Sequence, residues 1–137
     1  MNGPGVNREQ VGDWVVAYER AWRAPGTGAL AEIFTSGASY RQGPYDEPVV
    51  GLAAIGAMWE AERDGPGEVF RMTSDVVAAD GDTAVVRVEV GHGDPVRQEF
   101  RDLWVVRFAA DGRCASFEEW PYWPEHPEHA PGHEPPG

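Results

Sequence analysis

The sequence predicts a single α+β domain in which three helices pack on one face of a curved antiparallel sheet. Apolar residues recur at helical spacing in the first half of the chain, and four long extended runs fill the second half. This order favours an α+β fold over alternating βαβ units. The 137 residues suit one core: we expect a domain over residues 7–123, a flexible N-terminus over 1–6 and a disordered Pro/Glu/His-rich tail over 124–137.

Two helices are predicted near the N-terminus. Asn7 and Gln10 form a capping pair for the first, which ends at Pro25. Its inner stripe consists of Val11, Trp14, Val15, Tyr18 and Trp22. The second is predicted from near Thr27 to Gly37, where it buries Leu30, Ile33 and Phe34. Together they form a helical hairpin.

A third helix and a strand meander follow. Short extended segments at residues 38–42 and 48–50 precede the helix, which begins at Leu52 and ends within residues 64–67. Its apolar stripe contains Ile55, Met58 and Trp59. Extended runs at 68–79, 83–91, 96–109 and 113–120 have short links, which indicates an antiparallel meander. His92, in the loop over residues 91–95, is predicted to be a solvated loop residue.

Charge and cysteine content limit the partners and the compartment. Eleven basic residues against twenty-three acidic ones give a formal net charge of −12, which repels phosphate backbones and anionic lipids. We therefore expect neither nucleic acid nor membrane partners. The lone Cys114 cannot form an intrachain disulfide and the first residues lack signal-peptide features, so we expect a cytoplasmic protein.

The strand at residues 96–109 places a carboxylate on an apolar face. Because successive strand residues point to opposite sides, one face holds Gln98, Phe100, Asp102, Trp104, Val106 and Phe108. Desolvation between Phe100 and Trp104 favours the neutral form of Asp102, which makes Asp102 the first candidate for a catalytic acid or base. The alternative is a structural pair with an arginine such as Arg71 or Arg87.

The last strand offers a second carboxylate. Glu118 and Glu119 must face opposite sides, and Glu119 shares its face with Phe117, so Glu119 is predicted to point inward. Beside Asp102 it forms a two-carboxylate site in which repulsion raises one pKa. The alternative is one solvated glutamate and one paired with an arginine. Candidate ligand-binding residues in the same interior are Tyr18, Tyr40, Gln42, Trp59, Gln98 and Trp104, although an aromatic core also explains the tryptophans.

Motifs for bound cofactors are missing from the sequence. We find no phosphate-binding glycine motif, no nucleophile elbow and no Cys/His arrangement for covalent catalysis, so no cofactor is expected. His126, His129 and His133 lie in a proline-broken segment that cannot hold a fixed ligand geometry, and no metal site is predicted there.

Three patches of the sequence carry a family resemblance over residues 7–121. They are VVAYERAW followed by ALAEIF, then ASYRQGPYDEPVVGLAAIGAMWE, then DLWVVRFAADGRCASFEEW. They resemble the nuclear transport factor 2-like superfamily, which includes SnoaL-like polyketide cyclases, ketosteroid isomerases, scytalone dehydratases and limonene epoxide hydrolases. The resemblance implies a cone-shaped half-barrel, also described as cystatin-like, with a pocket between the helices and the concave face of the sheet.

The resemblance also bears on function. In the ketosteroid isomerase branch it implies a hydrogen-bonding tyrosine at Tyr18, but Gln42 occupies the place of the general base and Trp104 that of a second acid. Since an amide cannot abstract a carbon-bound proton, we first expect a SnoaL-like protein that binds a small hydrophobic molecule without turnover.

Two alternatives stay open. One is a cofactor-free isomerase, dehydratase/cyclase or epoxide hydrolase that uses Asp102 as general acid or base, helped by Glu119. The other is a dimeric protein-interaction scaffold, because the fold implies a homodimer formed through the outer sheet face. That face is predicted to carry Val85, Arg87, Leu103 and Val105.

Overall fold

Three helices and six strands make up the part of the chain that the structure, a computed structural model, describes: residues 5–63 and 69–124. The helices are α1 (Arg8–Arg23), α2 (Leu30–Ile33) and α3 (Leu52–Glu62). The strands are β1 (Phe34–Arg41), β2 (Val49–Val50), β3 (Phe70–Asp80), β4 (Thr83–His92), β5 (Gln98–Phe108) and β6 (Cys114–Tyr122). No helix in these two ranges is long and apolar enough to cross a membrane.

The ends of α1 are fixed by polar contacts. Asn7 and Gln10 form the predicted capping box, with the Gln10 amide donating to Asn7 Oδ1 at 2.8 Å and the Asn7 amide donating to Gln10 Oε1 at 2.9 Å. After the helix, the guanidinium of Arg63 donates to the carbonyls of Ala24 at 2.7 Å and Gly26 at 2.8 Å. Since these carbonyls follow the last turn of α1, Arg63 holds the end of α3 against the end of α1.

The second predicted helix is wrong in length. The structure has a single helical turn at Leu30–Ile33, and the strand β1 begins at Phe34 instead of near residue 38. Phe34 pairs with Cys114 of β6, so it is buried from a strand. The residues after Ile33 include a threonine and a glycine, which are weak helix formers, and pairing with β6 decides their conformation.

The four long strands form the predicted antiparallel meander, but the sheet as a whole is mixed. Its order is β2-β1-β6-β5-β4-β3, and β1 runs parallel to β6. The prediction of a purely antiparallel sheet is therefore wrong at this one pair. A hairpin forces antiparallel pairing, whereas β1 and β6 are separated by the whole meander and are free to align in the same direction.

The N-terminal end of the described chain is attached to the sheet. The amide of Val6 donates to the carbonyl of Gly81 at 2.9 Å, which ties residue 6 to the turn between β3 and β4. The predicted flexibility of residues 1–6 stays untested for 1–4, which lie outside the described residues. The predicted end of α3 at residues 64–67 and all but Pro124 of the predicted tail also lie outside them.

The core lies between α1 and the concave face of the sheet, with Trp14 at its centre. The Trp14 indole donates to the carbonyl of Ile33 at 2.9 Å. Its ring lies within 6.4 Å, centroid to centroid, of Tyr18, Phe34, Trp104, Phe108 and Phe117. The helices cover one end of the concave face in this way and leave the other end open.

Candidate functional site

A cavity of about 760 Å³ occupies the open end of the concave face. This volume is in the range of sites that hold small organic molecules. Apolar side chains from β3, β4 and β5 make much of its wall, and polar groups converge at its inner end. The wall is formed by Tyr18, Trp22, Tyr40, Gln42, Glu62, Phe70, Met72, Val90, His92, Arg97, Gln98, Phe100, Asp102, Trp104, Glu119, Pro121 and Trp123.

Asp102 lies on the inner face of β5, as the alternation predicted. It is only 7% exposed, and its Oδ2 accepts a long hydrogen bond of 3.4 Å from the Trp104 indole. Its Oδ1 is buried without a hydrogen-bond partner among the described residues. The alternative of an arginine pair does not hold for Arg87, whose guanidinium contacts Asp75 at 3.7 Å, and Arg71 is exposed.

Glu119 lies beside Asp102 on the neighbouring strand. Trp104 of β5 is directly opposite Glu119 of β6, and both carboxyl groups line the cavity. Glu118 does not line it and accepts a hydrogen bond from the Trp120 indole at 2.5 Å. The predicted orientation of the two glutamates is therefore the one that the structure has.

Burial raises the pKa of both carboxyl groups. It raises the pKa of Asp102 to about 6, although hydrogen bonds from the Trp104 indole and from Glu119 partly offset the effect. It raises the pKa of Glu119 to about 8, and the charge of Asp102 adds to the rise. Near neutral pH the two carboxyl groups therefore hold one proton between them, and the higher pKa of Glu119 favours Glu119 as its carrier.

Two tyrosines extend this pair into a hydrogen-bonded chain. The hydroxyls of Tyr18 and Tyr40 are 2.6 Å apart, and the Tyr40 hydroxyl donates to Glu119 Oε1 at 3.3 Å. A tyrosine hydroxyl has one proton, and that of Tyr40 is donated to Glu119. Tyr18 is therefore the donor in the 2.6 Å contact between the two hydroxyls. Burial raises the pKa of each tyrosine well above its ordinary value, so both stay neutral donors.

Gln42 lines the cavity in a fixed orientation. Its amide nitrogen donates to both carboxylate oxygens of Glu62, at 2.9 and 2.8 Å. The amide oxygen of Gln42 is thereby left as the group available to a ligand donor. Glu62 was not predicted, because it follows the apolar stripe of α3 and reads as a solvated helix-end residue.

The remaining predicted ligand residues divide into two groups. Gln98 and Trp104 line the cavity, at its outer part and its inner part respectively. Trp59 does not: it is 1% exposed and packs against Tyr18, Trp22 and Phe34. The prediction of Trp59 as a ligand contact needs correction, since the ring is a core residue beneath Tyr18.

His92 and Arg97 line the cavity although neither was predicted there. His92 is the last residue of β4 and pairs with Gln98, so it is part of a strand and not a solvated loop residue. Its ring lies between those of Phe70 and Phe100, with centroids 5.9 and 5.8 Å away. Continuing the inward alternation of Val86, Val88 and Val90 by one step would have found it.

No cluster of three His, Cys, Asp or Glu side chains suited to a metal ion is found within residues 5–63 and 69–124. The three histidines of the tail lie outside these ranges. The polar groups at the inner end of the cavity are the carboxyls of Asp102 and Glu119 and the phenols of Tyr18 and Tyr40, which donate or accept hydrogen bonds.

Comparison with known families identifies the class of protein. The model of the SnoaL-like domain matches residues 15–117, most of the chain and all of the strands that build the cavity except β6 beyond Phe117. The chain belongs to the SnoaL-like domain family. No curated protein matches it.

Solved structures share the fold. A candidate ketosteroid isomerase from Kribbella flavida is 21% identical, with a TM-score of 0.64, covering 92% of this chain and 86% of that one. A candidate polyketide cyclase from Sinorhizobium meliloti is 26% identical, with a TM-score of 0.61 and coverage of 78% and 93%. The epoxide hydrolase/cyclase-like enzyme SalBIII is 18% identical, with a TM-score of 0.66 and coverage of 85% and 92%. These likenesses establish the α+β cone.

Proposed function

We propose that this protein is a cofactor-free acid–base enzyme that opens, cyclises or isomerises a small, mostly apolar molecule. The observation that carries the proposal is the Asp102–Glu119 pair, in which one proton is held between two carboxyls inside an apolar cavity. Such a pair offers a general acid and a general base at the same pH. This favours the catalytic alternative over binding alone.

The pair suits an epoxide opening in which two protons move in opposite directions. Glu119 gives its proton to the epoxide oxygen as that carbon–oxygen bond breaks. Asp102 takes the proton of the water or hydroxyl whose oxygen forms the new bond to carbon. The proton then returns from Asp102 to Glu119, since Glu119 has the higher pKa, and the site is restored without a co-reactant.

The tyrosines have a supporting role in this proposal. Tyr40 donates to Glu119 Oε1 and Tyr18 donates to Tyr40, so the order of donors is fixed toward the carboxyl pair. This chain orients the Glu119 carboxyl and stabilises its charge after proton transfer. Tyr18 also lines the cavity, and a tyrosine hydroxyl that donates one hydrogen bond can still accept another from a substrate hydroxyl.

The relatives support the same reaction classes. SalBIII is described as epoxide hydrolase/cyclase-like with a role in pyran ring formation, and the Sinorhizobium meliloti neighbour is a candidate polyketide cyclase. Both reactions need an acid and a base near one another. Isomerisation of the ketosteroid type receives less support, because Gln42 is bound to Glu62 and cannot act as the base.

Turnover of a small panel tests the proposal. Epoxides of cyclic alkenes, linear epoxy alcohols and a β,γ-unsaturated ketone should be incubated with the protein and products followed by gas chromatography. We expect turnover of an epoxide, with a bell-shaped pH profile whose limbs lie near the pKa values of about 6 and about 8. Asp102→Asn and Glu119→Gln should each lower kcat/KM by about 10²–10⁴.

Glu118→Gln is the matched control, since this neighbouring carboxylate is absent from the cavity wall. Its kcat/KM and pH profile should equal those of the unchanged protein. If Glu119→Gln has the activity of Glu118→Gln, the acid–base role of the pair is wrong. Binding of the panel without any turnover would instead support the non-catalytic binding protein, the second candidate, which the amide at Gln42 favours.

A homodimer and a cytoplasmic location complete the proposal. Leu103 and Trp120 are opposite each other on adjacent strands and are 42% and 36% exposed, which gives the outer face an apolar patch. We propose that a second copy of the chain covers this patch. The buried, unpaired Cys114 is consistent with a reducing cytoplasm.

A further inference from the structure

We propose that the molecule bound in the cavity is an elongated apolar carboxylic acid, held by its carboxylate at Arg97 with its other end at Asp102. The proposal rests on the proposed function for the reactive end and adds the class of molecule. It is carried by a separation of charge along the cavity: carboxyl groups at the inner end, apolar side chains in the middle and a cation at the outer end.

Arg97 is positioned by the loop between β4 and β5. Its amide donates to the carbonyl of His92 at 2.9 Å, which starts the β5 pairing. Its side chain lies close to Gly93: a Cβ added at Gly93 would be 3.1 Å from the Arg97 Nε. Gly93 has a φ of 96°, so a glycine is favoured there for its backbone as well as for this space.

The guanidinium of Arg97 is free to bind an anion. Five arginines of the described residues, Arg23, Arg63, Arg87, Arg101 and Arg113, contact a carboxylate within 4 Å. Within residues 5–63 and 69–124, Arg97 has no such contact, and no other arginine there lines the cavity. The formal charge of −12 repels anions in general, so this local cation determines where an anion can enter.

The sheet register sets the length of the molecule. Gln98, opposite His92, marks the outer end of the cavity on β5, and Asp102, opposite Val88, marks the inner end. Asp102 follows Gln98 by four residues. At about 3.3 Å per residue this is roughly 13 Å, and Arg97 lies one residue further out. A molecule that reaches both groups is therefore chain-like or made of fused rings in a row.

The two ends of the cavity have different requirements. The wall between them is apolar and includes Phe70, Met72, Val90, Phe100 and Trp123. At the outer end, a planar guanidinium binds a carboxylate through two parallel hydrogen bonds. At the inner end, the unpartnered Asp102 Oδ1 needs a donor, which a hydroxyl on the far end of the molecule supplies.

Binding of decanoate and decanol, measured by quenching of tryptophan fluorescence, tests the anion site without any turnover. Trp22, Trp104 and Trp123 line the cavity and report occupancy. We expect the unchanged protein to bind decanoate at least as tightly as decanol, and Arg97→Gln to weaken decanoate about tenfold while decanol is unaffected. Added salt should weaken decanoate binding only where Arg97 is present.

Arg101→Gln is the matched control, because this nearby arginine lies on the outer face of β5 and contacts Glu99. It should bind both probes as the unchanged protein does. The anion site is wrong if Arg97→Gln binds decanoate as tightly as Arg101→Gln, or if the unchanged protein prefers decanol.

The same titrations with Asp102→Asn and Glu119→Gln separate this proposal from the proposed function. Retained decanoate binding in these two variants, with loss in Arg97→Gln, supports the anion site whatever the turnover assays give. Retained turnover together with unchanged decanoate binding in Arg97→Gln overturns the anion site and leaves the acid–base proposal standing.

Discussion

Asp102 and Leu103 are neighbours on β5, yet their burial is the reverse of their polarity. The carboxyl of Asp102 is inside and 7% exposed, whereas Leu103 is on the outer face and 42% exposed. Further along the same strand the usual pattern returns, with Phe108 buried and Arg107 exposed. The reversal therefore concerns the part of the strand that faces the cavity and not the part that packs against Trp14.

Packing and function occupy different parts of the same strand. At the packed end, inward residues such as Phe108 pack against Trp14 and their role is stability. Beyond it, inward residues face the cavity, and a buried acid costs free energy that only a site would retain. On the outside, an exposed leucine at the same level gives a surface suited to a second chain.

The largest expected effect is at the packed end. Trp14→Ala removes the central ring and the hydrogen bond to the Ile33 carbonyl, so we expect the free energy of unfolding to fall by about 3–5 kcal/mol. Urea unfolding followed by circular dichroism measures it. Val16→Ala, on the exposed side of α1, should change it by about 0.5 kcal/mol at most. Equal losses in the two variants would contradict a core centred on Trp14.

The next effect is the pH dependence of stability at the open end. The pKa values of Asp102 and Glu119 are higher in the folded chain than in the unfolded one, so the folded chain binds more protons between about pH 5 and 8. The free energy of unfolding should therefore decrease as pH rises through this range, by up to about 1.4 kcal/mol per pH unit for one proton.

Glu119→Gln should flatten this dependence above about pH 6, because the group with the pKa of about 8 is removed. Glu118→Gln, which alters a carboxylate outside the cavity, should keep it. Urea unfolding at four or five pH values measures the slopes. Parallel slopes for Glu119→Gln and the unchanged protein would mean that the pair does not hold the extra proton.

The smallest effect on folding is expected at the outer face. Leu103→Ser should change the free energy of unfolding of the chain itself by about 0.5 kcal/mol or less, because the side chain is already exposed. It should nevertheless shift the protein from dimer to monomer in size-exclusion chromatography with light scattering. Glu89→Gln is the control, since Glu89 is exposed on the neighbouring strand β4. This variant should stay dimeric. A monomeric unchanged protein at high concentration would remove the dimer proposal.

Much of this fold and part of its candidate site follow from local sequence patterns. Helical periodicity located α1 and α3, turn residues located the links of the meander, and strand alternation put Asp102 and Glu119 on inner faces. These features depend on neighbours along the chain or on a period of two or 3.6 residues. They can therefore be predicted from residues that are close in sequence, without knowledge of the tertiary structure.

Other features depend on contacts between segments that are distant in sequence. The strand at Phe34, the parallel pairing of β1 with β6 and the extension of β4 to His92 depend on pairing between distant segments. The same holds for Trp59, which its place on the α3 stripe and its polar indole offered to the ligand but which packing assigns to the core. The contacts of Gln42 with Glu62 and of Tyr40 with Glu119 join residues far apart in sequence, and local patterns carry no information about which distant side chain completes a hydrogen bond.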